Sequence, residues 1–163
     1  MIKFLLNNEL VTLEKDAAEV SVQQYLRDQK ALTGSKEGCA AGDCGACTVV
    51  LGEIAPSQTG IFYRSVNSCI TLMAALHGKQ LITVEHLSDG NTLHPVQQAM
   101  VEHHGSQCGF CTPGFVMSMF ALYHTDQPAT RETVNTALSG NLCRCTGYRP
   151  IIDATIDSCA HRD

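Results

Sequence analysis

Apolar and polar positions alternate over the first residues of the chain. Ile2 to Leu6 and Leu10 to Leu13 are apolar-rich runs, and Asn7-Asn8 between them supplies turn residues, so residues 1–14 read as a β-hairpin. Ser21 is placed to cap a short helix with Val22, Tyr25 and Leu26 on one face. From Gly34 to Cys47 the periodicity vanishes among glycines and cysteines, which predicts a loop. Thr48-Val49-Val50-Leu51, Ile61-Phe62-Tyr63 and Leu81-Ile82-Thr83-Val84 are strand candidates. Ile70 to His77 reads as a helix stopped by Gly78.

After the turn cluster Ser88-Asp89-Gly90-Asn91 the pattern becomes helical. Pro95 opens a helix to about His104, and Pro113 opens a second with Val116, Met117, Phe120 and Leu122-Tyr123 apolar. Thr130 caps a third, and a fourth follows Pro150 through Ile151, Ile152, Ala154 and Ile156. The expected organisation is α+β, with a mixed strand-and-helix domain over 1–87 and a small four-helix domain over 88–163. Domains of this size bury little apolar surface, so a metal site in each would help hold it.

Composition narrows the function. The chain has 163 residues, 44 % apolar and 17 % charged, with a formal net charge of −5. It is a globular composition with no long basic run, so nucleic acid and anionic membranes are not expected partners. The apolar start Met1 to Leu6 is cut short by Asn7-Asn8-Glu9, too short for the core of a signal peptide, and no window approaches the ~18 apolar residues of a membrane span. The expected location is the cytoplasm. In that reducing compartment the nine cysteines are expected to be metal ligands or catalytic groups, and an odd count suits complete disulfide pairing poorly.

Cys39-x4-Cys44-x2-Cys47, followed by Cys69, is the plant-type [2Fe–2S] spacing. Thiolates suit iron–sulfur clusters and zinc alike. Gly38, Gly42 and Gly45 let the backbone bend tightly and bring N–H groups toward the sulfurs, where such hydrogen bonds tune the potential. The second group, Cys108-x2-Cys111 and Cys143-x1-Cys145, is ambiguous from spacing alone: an iron–sulfur site, zinc or a redox disulfide each fits. A thioredoxin-like dithiol at Cys108-Gly109-Phe110-Cys111 would want a βαβ context, which this half lacks, and gives Cys143 and Cys145 no role. Cys159 is left over and reads as a buried cysteine. His77, His86, His94, His103, His104, His124 and His161 form no H-E-x-x-H pattern, and no nucleophile, base and orienting group stand together in a motif.

Lys36-Glu37-Gly38-Cys39 to Thr48-Val49-Val50, Asn67-Ser68-Cys69, Gln107-Cys108-Gly109-Phe110-Cys111-Thr112-Pro113-Gly114 and Gly140-Asn141-Leu142-Cys143-Arg144-Cys145-Thr146-Gly147-Tyr148 together resemble the iron–sulfur part of the molybdenum hydroxylases, the xanthine oxidase family. Within it, Tyr63 to Asn67 and His94 to Met100 are most similar to the small subunit of bacterial xanthine dehydrogenases. The resemblance covers nearly the whole chain. It implies a ferredoxin-like (β-grasp) domain followed by the helical one. It implies that Cys39, Cys44, Cys47 and Cys69 hold a [2Fe–2S] cluster nearer a flavin, and that Cys108, Cys111, Cys143 and Cys145 hold a second nearer the molybdenum cofactor. It further implies that Gln107 hydrogen-bonds the pterin and that Cys145 lies close to it.

The implied function is electron transfer during hydroxylation of hypoxanthine or xanthine, in single electrons from molybdenum to FAD. The alternatives are an aldehyde- or carbon monoxide-oxidising relative, a free ferredoxin, or a zinc-binding module. The chain would be the iron–sulfur component of an oxidoreductase with no substrate-converting site of its own. It carries no dinucleotide or flavin motif, so FAD is expected on a separate chain or on a further domain of a longer polypeptide, and molybdenum on a large partner subunit.

Overall fold

The computed structural model describes residues 1–55 and 59–162. Five strands form one mixed sheet: β1 (Ile2–Leu6), β2 (Glu9–Leu13), β3 (Thr48–Ile54), β4 (Ile61–Asn67) and β5 (Gln80–Ile82), in the order β2-β1-β5-β3-β4. β1 and β2 form the expected antiparallel hairpin, pairing Ile2 with Leu13 and Leu6 with Glu9. Asn7 turns it at φ +56°, and its side-chain oxygen accepts from the Thr83 amide at 3.0 Å. β5 runs parallel to β1 and antiparallel to β3, inserting between them.

Period-two alternation divides the sheet into two faces. Ile2, Phe4, Leu6, Val49 and Leu51 point to one core with Val22, Tyr25, Leu26, Met73 and Leu76. Val50 and Ile82 point the other way, into a core built with the helices. β3 is therefore buried on both faces, which is why Thr48 to Leu51 reads as a continuous run rather than an alternating one.

Ser21 caps α1 (Val22–Gln24) by accepting from the Gln24 amide at 3.1 Å, and the helix continues as a π-helical turn over Tyr25–Gln29. The expected helix over Ile70 to His77 is reduced to one 3₁₀ turn, Met73–Leu76. The backbone before it is engaged elsewhere: Leu72 is extended and bridges Ser21, Val22 N–H donates to Thr71 O, and Met73 N–H donates to Val20 O. Gly78 still ends the segment with φ +76°. β5 is also shorter than its apolar run, because Val84 begins another 3₁₀ turn.

The second half contains α2 (Pro95–Glu102), α3 (Thr112–Tyr123), α4 (Arg131–Leu138) and α5 (Arg149–Ala160). Starts follow the sequence signals. His94 caps α2 in a capping box with Gln97, Thr130 caps α4 through the Thr133 amide, and prolines occupy the first turns of α2, α3 and α5. α3 is buried from Gly114 to Leu122 because β3 and β4 cover one side and α2, α4 and α5 the others. The helices thus pack on the second face of the sheet, and this places the loop before α3 beside the loop before β3.

Candidate metal centres

The first loop wraps around a sulfur. Ala40 and Gly42 adopt left-handed backbone at φ +53° and +82°, which turns successive amides inward. Ala41, Asp43 and Cys44 N–H groups donate to Cys39 Sγ at 3.4, 3.3 and 3.4 Å. These amides, with the Cys44 thiol behind them, lower the Cys39 thiol to about 6, which favours its thiolate. Gly38 gives Cys44 room: a Cβ there would lie 2.8 Å from Cys44 Sγ.

The fourth cysteine is laced onto this loop from the end of β4. Asn67 Nδ2 donates to Gly42 O at 2.5 Å, and Ser68 Oγ donates to Cys47 O at 2.7 Å. Cys69 then meets Cys47. Burial, followed by this neighbouring thiol, pushes Cys69 up to about 11.

The second group also closes. Cys111 stands at the N-terminal end of α3, while Cys143 and Cys145 lie in the turn between α4 and α5. Cys111 meets Cys143, and Cys108 meets Cys145. Burial and then the Cys143 thiol push Cys111 up to about 12. Burial also opposes ionisation of Cys143, but the Thr146 hydroxyl, 3.1 Å from its sulfur, leads the contacts that bring it down. Tyr148 fixes the turn by accepting from the Cys143 amide through its hydroxyl at 3.1 Å. These four cysteines, with Phe110, Leu142 and Tyr148, line a cavity of about 440 Å³.

The donor sets suit dinuclear clusters. Thiols meet two by two, Cys39 with Cys44, Cys47 with Cys69, Cys111 with Cys143 and Cys108 with Cys145. Among the described residues no three His, Cys, Asp or Glu side chains are grouped as one metal ion would need. Within a pair one thiol can support its partner's thiolate while being held up itself, as Cys111 is raised beside Cys143, which is lowered; bound cations would hold both as thiolates. All nine cysteines are free. Cys159 lies in α5, 3 % exposed and apart from both groups.

Gln107 and Cys145 are both exposed; Cys145 lines the second group's cavity, and Gln107 directly precedes Cys108. Sequence reasoning assigned no role to Asn141, which is buried between the two loops. Its Nδ2 donates to Gly45 O at 3.0 Å in the first loop, and the next amide, Leu142 N–H, donates to Cys44 O at 2.9 Å. The signal available was a Gly-Asn pair ahead of Cys143, which reads as ordinary turn chemistry.

Known proteins share this fold. Residues 4–74 match the 2Fe-2S iron-sulfur cluster binding domain family, and residues 83–156 match the [2Fe-2S] binding domain family. The solved quinoline 2-oxidoreductase of Pseudomonas putida 86 superposes with a TM-score of 0.81 at 35 % identity, over 98 % of this chain and 92 % of that one. The chain belongs to the molybdenum hydroxylase family, as its iron–sulfur part.

Other molybdenum hydroxylases extend the likeness. Xanthine dehydrogenase of Emericella nidulans is 48 % identical over 94 % of this chain, and aldehyde oxidase 1 of Rattus norvegicus 45 % identical over 96 %. The aldehyde oxidoreductase of Desulfovibrio gigas superposes with a TM-score of 0.85 at 39 % identity over 98 % of this chain and 17 % of that one. This chain spans 11 % of the length of the xanthine dehydrogenase, so the relative carries much further sequence. No described helix is long and apolar enough to cross a membrane.

Proposed function

We propose that this chain is the electron-transfer part of a xanthine dehydrogenase-like molybdenum hydroxylase, linking a molybdenum cofactor and FAD held on other domains or chains. The observation that carries the reading is the convergence of eight cysteines into two groups of paired thiols, joined through buried backbone. Cys39, Cys44, Cys47 and Cys69 would hold one [2Fe–2S] cluster; Cys108, Cys111, Cys143 and Cys145 would hold the other. Bound, each cluster supplies a one-electron carrier.

The chain's own residues provide the surroundings. Amides of Ala41, Asp43 and Cys44 stabilise negative charge on Cys39, and the Thr146 hydroxyl does so on Cys143. Cys47 and Cys143 are nearly buried, whereas Cys108 and Cys145 reach the surface. Gln107 and Cys145 are exposed and so open to a partner's pterin, the arrangement expected if the second group faces molybdenum. A cytoplasmic location belongs to the same reading, because eight cysteines assigned as cluster ligands suit a reducing compartment.

Similarity to xanthine dehydrogenases favours hypoxanthine or xanthine as the substrate of the whole enzyme, and the aldehyde oxidase relatives make an aldehyde the second reading. The test is anaerobic isolation of the chain with its co-purifying chains, metal and flavin analysis, then addition of hypoxanthine or an aldehyde. Molybdenum in the complex and bleaching of the visible iron–sulfur absorption by hypoxanthine are expected. Bleaching by the aldehyde alone would select the second reading. A complex without molybdenum would overturn both.

A further inference from the structure

Asn141 is 4 % exposed, and its amide is fully engaged. Oδ1 accepts from Ser118 Oγ at 2.6 Å; Nδ2 donates to Gly45 O at 3.0 Å and to Thr48 Oγ1 at 3.2 Å. Thr48 Oγ1 spends its own proton on Gly45 O at 2.6 Å, so toward Asn141 it can only accept. The amide therefore has one orientation, with its oxygen toward α3 and its nitrogen toward the first loop.

Each partner belongs to a segment bearing candidate ligands. Gly45 lies between Cys44 and Cys47, Ser118 lies two turns along the helix that starts at Cys111, and Asn141 itself precedes Cys143. The backbones close in where side chains are missing. A Cβ on Gly45 would overlap the Gly140 carbonyl oxygen, and one on Gly114 would overlap the Gly45 carbonyl oxygen. A satisfied polar network in so tight a space holds one geometry, because any displacement leaves a buried donor or acceptor unpaired.

We propose that Asn141 is a positioning residue that locks the two cysteine loops together and so sets the coupling between the two [2Fe–2S] centres. This rests on the reading that both thiol groups hold clusters. Support for a single loop would need contacts to that loop alone; Asn141 reaches the first loop, α3 and the second loop at once. Coupling between two centres falls with their separation, so a brace that fixes loop spacing acts on electron exchange without touching either cluster.

The test compares the full chain, purified anaerobically with its clusters and any co-purifying chains, as wild type, Asn141→Asp, Ser118→Ala and Thr48→Ser. Asn141→Asp keeps the acceptor and loses both donors; Ser118→Ala frees the oxygen end; Thr48→Ser keeps the hydroxyl. The readouts are iron content, melting temperature, midpoint potentials and the spin–spin splitting between the reduced centres in low-temperature paramagnetic resonance. Asn141→Asp and Ser118→Ala should retain iron at both sites but show a changed splitting and shifted potentials, and Thr48→Ser should match wild type. A lower melting temperature with wild-type splitting and potentials would overturn the proposal, as would iron loss confined to one site. Should Asn141→Asp not fold, Ser118→Ala decides by the same splitting. A wild type lacking two iron–sulfur signals would defeat the underlying cluster reading instead, before any variant is compared.

Discussion

The backbone N–H of Leu142 donates to the carbonyl oxygen of Cys44 at 2.9 Å, tying a residue next to Cys143 to a cysteine of the first group. The two cysteine loops are therefore bonded to one another, although about a hundred residues separate them in sequence. The bond forms because α3 packs on β3 while α4 and α5 pack on α3, carrying the turn between α4 and α5 to the loop before β3.

Gly45→Ala should be among the most damaging single changes. Gly45 sits at φ +71°, and the added methyl would meet backbone rather than a flexible side chain. A loss of about 2 kcal/mol or more is expected by chemical unfolding. Gly78→Ala is the control, since φ is +76° but the space is open; about 1 kcal/mol is expected there. Equal losses at both positions would show that the loops are not interlocked at Gly45.

Stability should fall in mild acid through His94. Its ring packs on Phe120, Tyr123 and His124, and Nδ1 accepts from the Val96 amide at 3.3 Å. Burial, then the neighbouring His124, pushes His94 from 6.5 down to about 4. The unfolded chain therefore takes up the proton first. The contribution is present above 6.5 and is lost as pH falls from there toward about 4. Unfolding free energy measured at pH 7 and pH 5 should drop less in His94→Asn, which keeps a capping acceptor, than in wild type. An unchanged drop would exonerate His94.

Arg162 holds the end of α3. Its guanidinium donates to Leu122 O at 3.3 Å and Thr125 O at 2.6 Å, and also to Gln127 O. A cation at a helix C-terminus satisfies orphan carbonyls and complements the dipole. Arg162→Ala should cost about 1–2 kcal/mol and speed amide exchange at the C-terminal end of α3. Unchanged exchange there would contradict the clamp.

The leftover cysteine should be separable from the other eight. Cys159→Ser should retain both iron–sulfur signals with a small loss of stability, whereas Cys143→Ser should remove one signal and leave the other. Loss of both signals in Cys143→Ser would mean that the two sites assemble interdependently.

Local signals carried much of this fold into the sequence. Asn7 marked the hairpin, Ser21 and Thr130 marked caps, and the prolines marked helix starts, because each acts through its own backbone neighbourhood. Ile70 to His77 misled for the opposite reason: its apolar spacing suits a helix, yet Leu72 is claimed by a bridge to Ser21 from far away. The first cysteine group was legible from spacing because three of its cysteines share one loop. The second was not, because Cys111 and Cys143 meet only once α3, α4 and α5 have packed. Asn141 was invisible as more than a turn residue, since its partners Gly45 and Thr48 lie in the other half of the chain.

Two clusters on one chain is the claim on which the rest depends, and iron and sulfide analysis with paramagnetic resonance of the anaerobically reduced protein measures it directly. About four irons per chain and two distinct [2Fe–2S] signals of equal intensity are expected. About two irons and a single signal, or zinc in place of iron, would contradict it.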